Sequence, residues 1–195
     1  MVVVGYDKGD AYFDNPTGWK EVEDWFEKNA ASVCKERGFE CTLKGVQVNN
    51  VLKKPGPVFN VMAKAAYAAG ANYFYRLNDD TELTSKWVDE MVGVLKGWGP
   101  PYGVVGPNHQ GGNTAILTHD FVHRTHMDIF DQTYYPDELV DWWMDDWITT
   151  VYGKARTEKV ASAKATHHTG SHGRRPTVSV YCSVTFSNLS PFFRL

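Results

Sequence analysis

The chain has 195 residues, 43% hydrophobic and 22% charged, a balance that fits one globular domain with a sizeable core. A formal charge of −3 argues against a general nucleic-acid binder, and the densest basic spot is only the pair Arg174 and Arg175. No apolar run approaches the ~20 residues that cross a bilayer, and the opening MVVVGYD reads as a first strand without a signal peptide's charged start.

In chain order, residues 2–6 form a short apolar strand that ends in the polar loop DKGDAYFDNPTG. Val22, Trp25, Phe26, Ala30 and Val33 then recur at helical spacing over 19–37, and Gly38 supplies a stop. Residues 40–48 alternate as a second strand, KKPGP at 53–57 is a loop, and 58–69 is an Ala-rich helix closed by Gly70. The run YFYRL is a third, buried strand that stops on Asn78, Asp79, Asp80, Thr81 and Glu82. A helix over 86–96 follows, then a strand at 102–105, the loop GPNHQGGN, a short strand at 114–118 and a helix from His119 to Phe130. Residues 137–152, DELVDWWMDDWITTVY, read as an aromatic-rich helix. This β-α-β-α-β start predicts an α/β fold, a three-layer α/β/α sandwich around a mostly parallel central sheet.

The three cysteines, Cys34, Cys41 and Cys182, show neither CxxC nor zinc spacing. An odd count predicts no disulfide framework and favours a reducing, cytoplasmic compartment. A lumenal catalytic fragment that has lost an upstream anchor is the other reading.

Three polar clusters sit at the edges of apolar elements. Asp79 and Asp80 are adjacent carboxylates at a strand's end, where they repel unless a cation, protons or water screen them. They read equally as the acidic cap of the next helix or as an oxygen site for a hard divalent cation. Asp145 and Asp146 are hemmed in by Trp142, Trp143, Met144 and Trp147. They are either a solvated helix face or a partly buried pair able to take a proton. His167, His168 and His172 form the third cluster, in HHTGSHG. In the loop after Val105, Gly106, Gly111 and Gly112 allow close backbone approach, and Asn108, His109, Gln110 and Asn113 offer hydrogen bonds suited to sugar hydroxyls. A plain glycine turn accounts for the same residues. His119, His123 and His126 stand at offsets that share a helical face, but the Glu of a protease HExxH is missing.

Taken in order, these pieces resemble the nucleotide-sugar glycosyltransferases of the GT-A fold, over residues 2–178. The resemblance implies one catalytic domain with a nucleotide-binding half at 1–83 and an acceptor-binding half at 84–178, leaving 179–195 as a tail. The family's DxD-type motif falls on Asn78-Asp79-Asp80, with Asn where Asp is usual. Asp80 is then the metal contact, and Asn78 and Asp79 touch ribose, phosphate or metal-bound water. A late His is a further ligand, and His168 is the favoured one. Tyr6, Asp7 and Asp10, in the loop after the first strand, fall where the family contacts base and ribose. WWMDDW resembles the acidic pair of inverting members, which makes Asp146 the base and Asp145 its acceptor-contacting neighbour. Trp142 and Trp143, with His109 and Asn113, are the acceptor-binding candidates, and Trp147 shares the stacking role unless it belongs to the core.

The expected activity is transfer of a sugar from a nucleotide-diphospho-sugar, a UDP-sugar, to a hydroxyl acceptor on a carbohydrate or glycoconjugate, with Mn²⁺ or Mg²⁺. Two other readings stay open. A nucleotidyltransferase shares the α/β base and acidic metal site, although DKGDAYFD is acidic where that class carries a basic phosphate loop. A carbohydrate-binding domain without catalysis is the third.

Overall fold

The computed structural model describes residues 1–169; His172, Cys182 and the stretch 179–195 lie outside them. The first strand, β1 (Val2–Asp7), pairs in parallel with β2 (Leu43–Val48), from Val2 opposite Leu43 to Asp7 opposite Val48. Between them run α1 (Pro16–Phe26), a π-helical turn (Glu27–Ala31) and α2 (Ser32–Glu36). The start of α1 is set chemically: Asn15 accepts the Thr17 N–H at 2.9 Å, and Pro16 fills the first turn where no N–H is needed. Gly38, at φ +80°, turns the chain back so that Cys34 and Cys41 meet in a disulfide. The odd cysteine count concealed this pair, and the ground for favouring a reducing compartment falls with it.

Helix α3 (Pro55–Ala68) begins inside the KKPGP segment, because Pro55 is compatible with a first helical turn. It leads to β3 (Tyr73–Tyr75), the NDD turn, and β4 (Thr81–Leu83), which is a strand where a helix cap was one reading. Then come α4 (Val88–Gly97), β5 (Val104–Gln110), β6 (Phe121–His123), α5 (Thr125–Ile129), α6 (Met144–Tyr152), a 3-10 turn (Lys154–Arg156) and β7 (Thr157–His167).

The second sheet has the order β3-β6-β5-β7-β4. Only β5 and β7 run parallel in it; β6 is antiparallel to β3 and β5, and β4 to β7. The fold is therefore α/β with mixed sheets, which corrects the expectation of a mostly parallel three-layer sandwich. The cause is local. Phe121–His123 was expected in a helix, but this aromatic and β-branched run pairs with YFY, Val122 opposite Phe74, and so inserts a returning strand. His119, His123 and His126 then lie before the strand, on it and on α5, so they share no helical face. Residues 114–118 carry no strand, and the helix expected over 137–152 is confined to α6.

Helices cover both faces of the five-stranded sheet. Phe74, Val104 and Val122 pack with Ala63 of α3, Met127 of α5, and Trp147 and Ile148 of α6. On the opposite face Val105, Phe121, Val160 and Ala163 pack with Met91 and Leu95 of α4. Alternate residues thus serve alternate cores, as the pleat requires. Among the described residues no helix is long and apolar enough to cross a membrane.

Candidate active site

The site grows from the sheet end where β3 and β6 stop pairing. Just past the last paired residues, Tyr75 and Phe121, stand Arg76 and Asp120. Their backbones continue the ladder, Arg76 N–H donating to the Asp120 carbonyl at 3.0 Å, and their side chains form a buried ion pair. Arg76 Nη2 and Nε donate to Asp120 Oδ2 at 2.8 and 3.0 Å. The hydroxyls of Tyr134 and Tyr135 donate to the same carboxylate at 2.5 Å each. Those tyrosines are fixed by Asn60 of α3, whose side-chain amide both donates to and accepts from the Tyr135 backbone. Phe59 lies against the guanidinium, its ring centre 5.1 Å from Cζ.

Arg76 also reaches outward. Nη2 donates to Asp145 Oδ1 at 2.5 Å and Nη1 to Asn78 Oδ1 at 3.4 Å. One cation thus serves two carboxylates. Burial works against its charge, but its neighbours hold Arg76 protonated, above its ordinary range. Asp145 is pushed up to about 6, first by burial, with Asp120 adding to the rise and Arg76 opposing it. The two shifts look contradictory for one ion pair. They agree once Asp120, doubly bonded and fully buried, is recognised as the guanidinium's first partner, although the single contact to Asp145 is shorter.

The NDD turn follows immediately. Asp79 is exposed, whereas Asp80 is largely covered and faces His167, with Oδ1 2.9 Å from the ring Nε2. No hydrogen bond reaches that buried oxygen. Asn78 Nδ2 lies 3.3 Å from the same ring nitrogen. A protonated Nε2 donates to Asp80, the nearer partner, whereas an unprotonated Nε2 accepts the Asn78 N–H and leaves two acceptors, ring nitrogen and carboxylate, close together. A proton on the ring resolves that repulsion, and so does a divalent cation held between the two groups. Two neighbouring ligands of an octahedral ion at ~2.1 Å stand about 3 Å apart, close to the spacing here. Among the described residues no group of three or more His, Cys, Asp and Glu converges on one point. Asp80 and His167 are thus two residues that could hold a divalent ion, its other ligands coming from phosphate and water, as is common for Mg²⁺.

His167, rather than the favoured His168, stands beside Asp80, and the reason is strand alternation. Ala163, Ala165 and His167 point inward on β7 at every second position, and His167 sits opposite Thr81. His168 turns outward to Glu82 at 3.1 Å. Behind His167 stand two more buried imidazoles: His119, 4.9 Å away ring to ring, and His109, 5.4 Å beyond that. Burial first, then the charge of Arg76, lowers the pKa of His119 to about 3. His109 is buried, away from the surface where an acceptor would dock, and that burial lowers its pKa as well. Asn113 braces its own loop, accepting the Ala115 N–H at 3.0 Å. The glycine loop does make a close approach, but to His167: a Cβ on Gly111 would fall 2.2 Å from the His167 carbonyl oxygen.

The loop after β1 is held to the segment that follows β2. Asp7 accepts from Asn50 at 2.9 Å and pairs with Lys53 at 3.4 Å. Lys54, beside it, binds Asp141 at 2.7 Å and so ties this segment to the one that leads into α6. Tyr6 packs on Trp19 and Phe13. Asp10 accepts the N–H groups of Phe13 and Tyr12, which hold its carboxyl below the usual range. At the start of α6, Trp142 and Trp143 are 44% and 49% exposed, while Trp147 belongs to the core at 2%. Trp143 holds a left-handed backbone at φ 76°, a conformation rare for a bulky residue and common where a site imposes strain. Asp146 is half-buried.

Arg76, Asp120, Tyr134, Tyr135 and His119 were not singled out as site residues from sequence. One signal was present: an arginine inside the apolar run YFYRL is seldom buried unless paired. No protein-family model matches the chain, and neither a curated protein nor a solved structure matches it.

Proposed function

We propose that this protein is a metal-dependent glycosyltransferase that moves a sugar from a nucleotide-diphospho-sugar, a UDP-sugar, to a hydroxyl acceptor with inversion. The observation that carries this reading is the pairing of Asp80 with His167 at 2.9 Å, joined through Asn78 and Arg76 to the acidic pair of α6. The reading rests on the site and does not need a mostly parallel sheet.

In this scheme Asp80 and His167 would hold Mn²⁺ or Mg²⁺, which would supply Lewis-acid stabilisation of the charge on a departing nucleoside diphosphate. Asp79, exposed at the turn, and Asn78 are placed to meet ribose, phosphate or metal-bound water. Asp7 and the adjoining lysines, Lys53 and Lys54, form the rim towards the nucleotide, with Tyr6 and Asp10 shaping its loop. Asp145 is occupied by Arg76, which leaves Asp146 to accept the acceptor's proton. The acceptor oxygen bonds to the anomeric carbon as the carbon–phosphate oxygen bond breaks, and the electron pair leaves with the diphosphate. Trp142 and Trp143 offer exposed aromatic faces to the acceptor's sugar rings.

The test is Asp146→Asn with UDP-sugars as donors. Loss of transfer with unchanged UDP binding supports the assignment. Transfer at the wild-type rate removes Asp146 as base.

A further inference from the structure

The turn that carries Asp80 and the helix that carries Asp146 belong to different elements and do not pair with each other in either sheet. A single side chain reaches both. Arg76 donates to Asn78 at 3.4 Å on the turn and to Asp145 at 2.5 Å in the first turn of α6. Its own position is fixed from below by Asp120, which is fully buried, and by the Tyr135 hydroxyl at 3.0 Å. Phe59 and Tyr135 close its faces, with ring centres 5.1 and 5.8 Å from Cζ.

We propose that Arg76 is a positioning residue that sets the distance between the metal-holding turn and the base-bearing helix. A planar guanidinium has five N–H groups in a rigid fork, so bonds made on one side fix the direction of those on the other. Here Asp120 fixes Nε and Nη2, and the plane so defined aims Nη2 at Asp145 and Nη1 at Asn78. Asp145 is the residue before Asp146, so clamping its carboxylate orients the first turn of α6. Asn78 is two residues before Asp80, and it also approaches the His167 ring. The same bond network therefore constrains both groups that the reaction must bring to one sugar. A lysine keeps the charge but has one nitrogen, which cannot span Asp120, Asp145 and Asn78 from a fixed plane. In its enzymatic consequence this inference rests on the transferase reading; in its mechanical content it does not.

The experiment is hydrogen exchange on the full chain without ligand, comparing wild type with Asp145→Asn and Arg76→Lys. Asp145→Asn keeps the side chain's shape and gives up the charge that binds Arg76. Coupling predicts that this change on α6 speeds exchange of the His168 amide, which donates to the Asp80 carbonyl at 2.8 Å, by about tenfold or more, while β5 and β7 keep their protection. Arg76→Lys should loosen that amide and the Trp147 amide in the first turn of α6 together. Unchanged exchange of the His168 amide in Asp145→Asn overturns the proposal, as does uniform loosening of the whole domain in both variants. If Arg76→Lys does not fold, Asp145→Asn alone decides.

Donor kinetics separate this from folding support. A positioning role raises donor KM and lowers kcat together in Arg76→Lys, whereas a smaller folded fraction leaves KM unchanged. A wild-type chain that does not bind UDP with Mn²⁺ sinks the transferase reading, and the exchange comparison still decides the coupling.

Discussion

Arg76 Nη2 stands 2.5 Å from Asp145 Oδ1, across 69 positions of sequence, and the contact divides the labour of the acidic pair on α6. Asp145 is held by a buried cation and is structural in the first instance. Asp146, one residue on, has no such anchor among the described residues, and in the transferase reading it is the proposed base.

The two aspartates should therefore respond differently. Asp145→Ala removes one partner of a largely buried ion pair and should cost about 2–4 kcal/mol of stability. Asp146→Asn should change stability by less than about 1 kcal/mol but lower transfer by about 10²–10⁴-fold, the usual worth of a general base. Urea melts and transfer assays on both variants check this.

His167 and His168 should also separate. His167→Ala removes the imidazole beside Asp80 and should weaken Mn²⁺-dependent UDP binding about 10-fold or more, in line with losses from changes around a metal site. His168→Ala breaks only an exposed contact with Glu82 and should leave that binding unchanged. Titration calorimetry of UDP at fixed Mn²⁺ distinguishes the two.

His126 makes an acid-stability prediction. Its Nε2–H donates to the Tyr134 carbonyl, and a neutral ring's Nδ1 accepts from the Tyr152 hydroxyl 2.7 Å away. Burial lowers its pKa to about 4, below the unfolded value of about 6.5, while the Tyr134 carbonyl and Asp120 pull the other way. The unfolded chain then binds the extra proton first, and His126's contribution to stability is lost as pH falls from about 6.5 towards 4. Asp145, pushed up to about 6, acts in the opposite sense, so a comparison with His126→Gln isolates the histidine. The stability advantage of wild type over that variant should shrink by about 2 kcal/mol between pH 7 and pH 5, at roughly 1.4 kcal/mol per pH unit below 6.5. Denaturant melts at the two pH values measure it; a constant difference contradicts the buried neutral assignment.

The Cys34–Cys41 bond spans a separation of 7 residues. Loop-closure entropy puts its worth at about 2–3 kcal/mol, so reduction should lower Tm by roughly 5–10 °C. Calorimetry with and without a reductant checks the size. Mass spectrometry after alkylation checks the pairing.

Much of the scaffold was legible because its signals are local. The helical spacing of Val22, Phe26 and Ala30 and the stop at Gly38 mark the first helical stretch, and the YFY run marks β3. The Asp80 turn was legible too, as two carboxylates that end an apolar strand. What was hidden depends on pairing across the sheet. Choosing between His167 and His168 requires knowing which face of β7 is inward, and the register of β7 against β5 shifts after Pro107. The FVH strand was read as helix because its histidine offsets fit a helical period, and only its partner YFY decides otherwise. The Arg76 cluster joins five distant segments, so no short motif announces it. The disulfide was obscured by counting Cys182 with the other two.

UDP binding by wild type and Asp80→Ala, each with Mn²⁺ and with EDTA, tests the central claim most directly. The metal-dependent transferase reading predicts that Mn²⁺ tightens binding to wild type by about tenfold or more and makes no difference to Asp80→Ala. Equal UDP affinity in Mn²⁺ and EDTA for wild type, or no UDP binding at all, would contradict it.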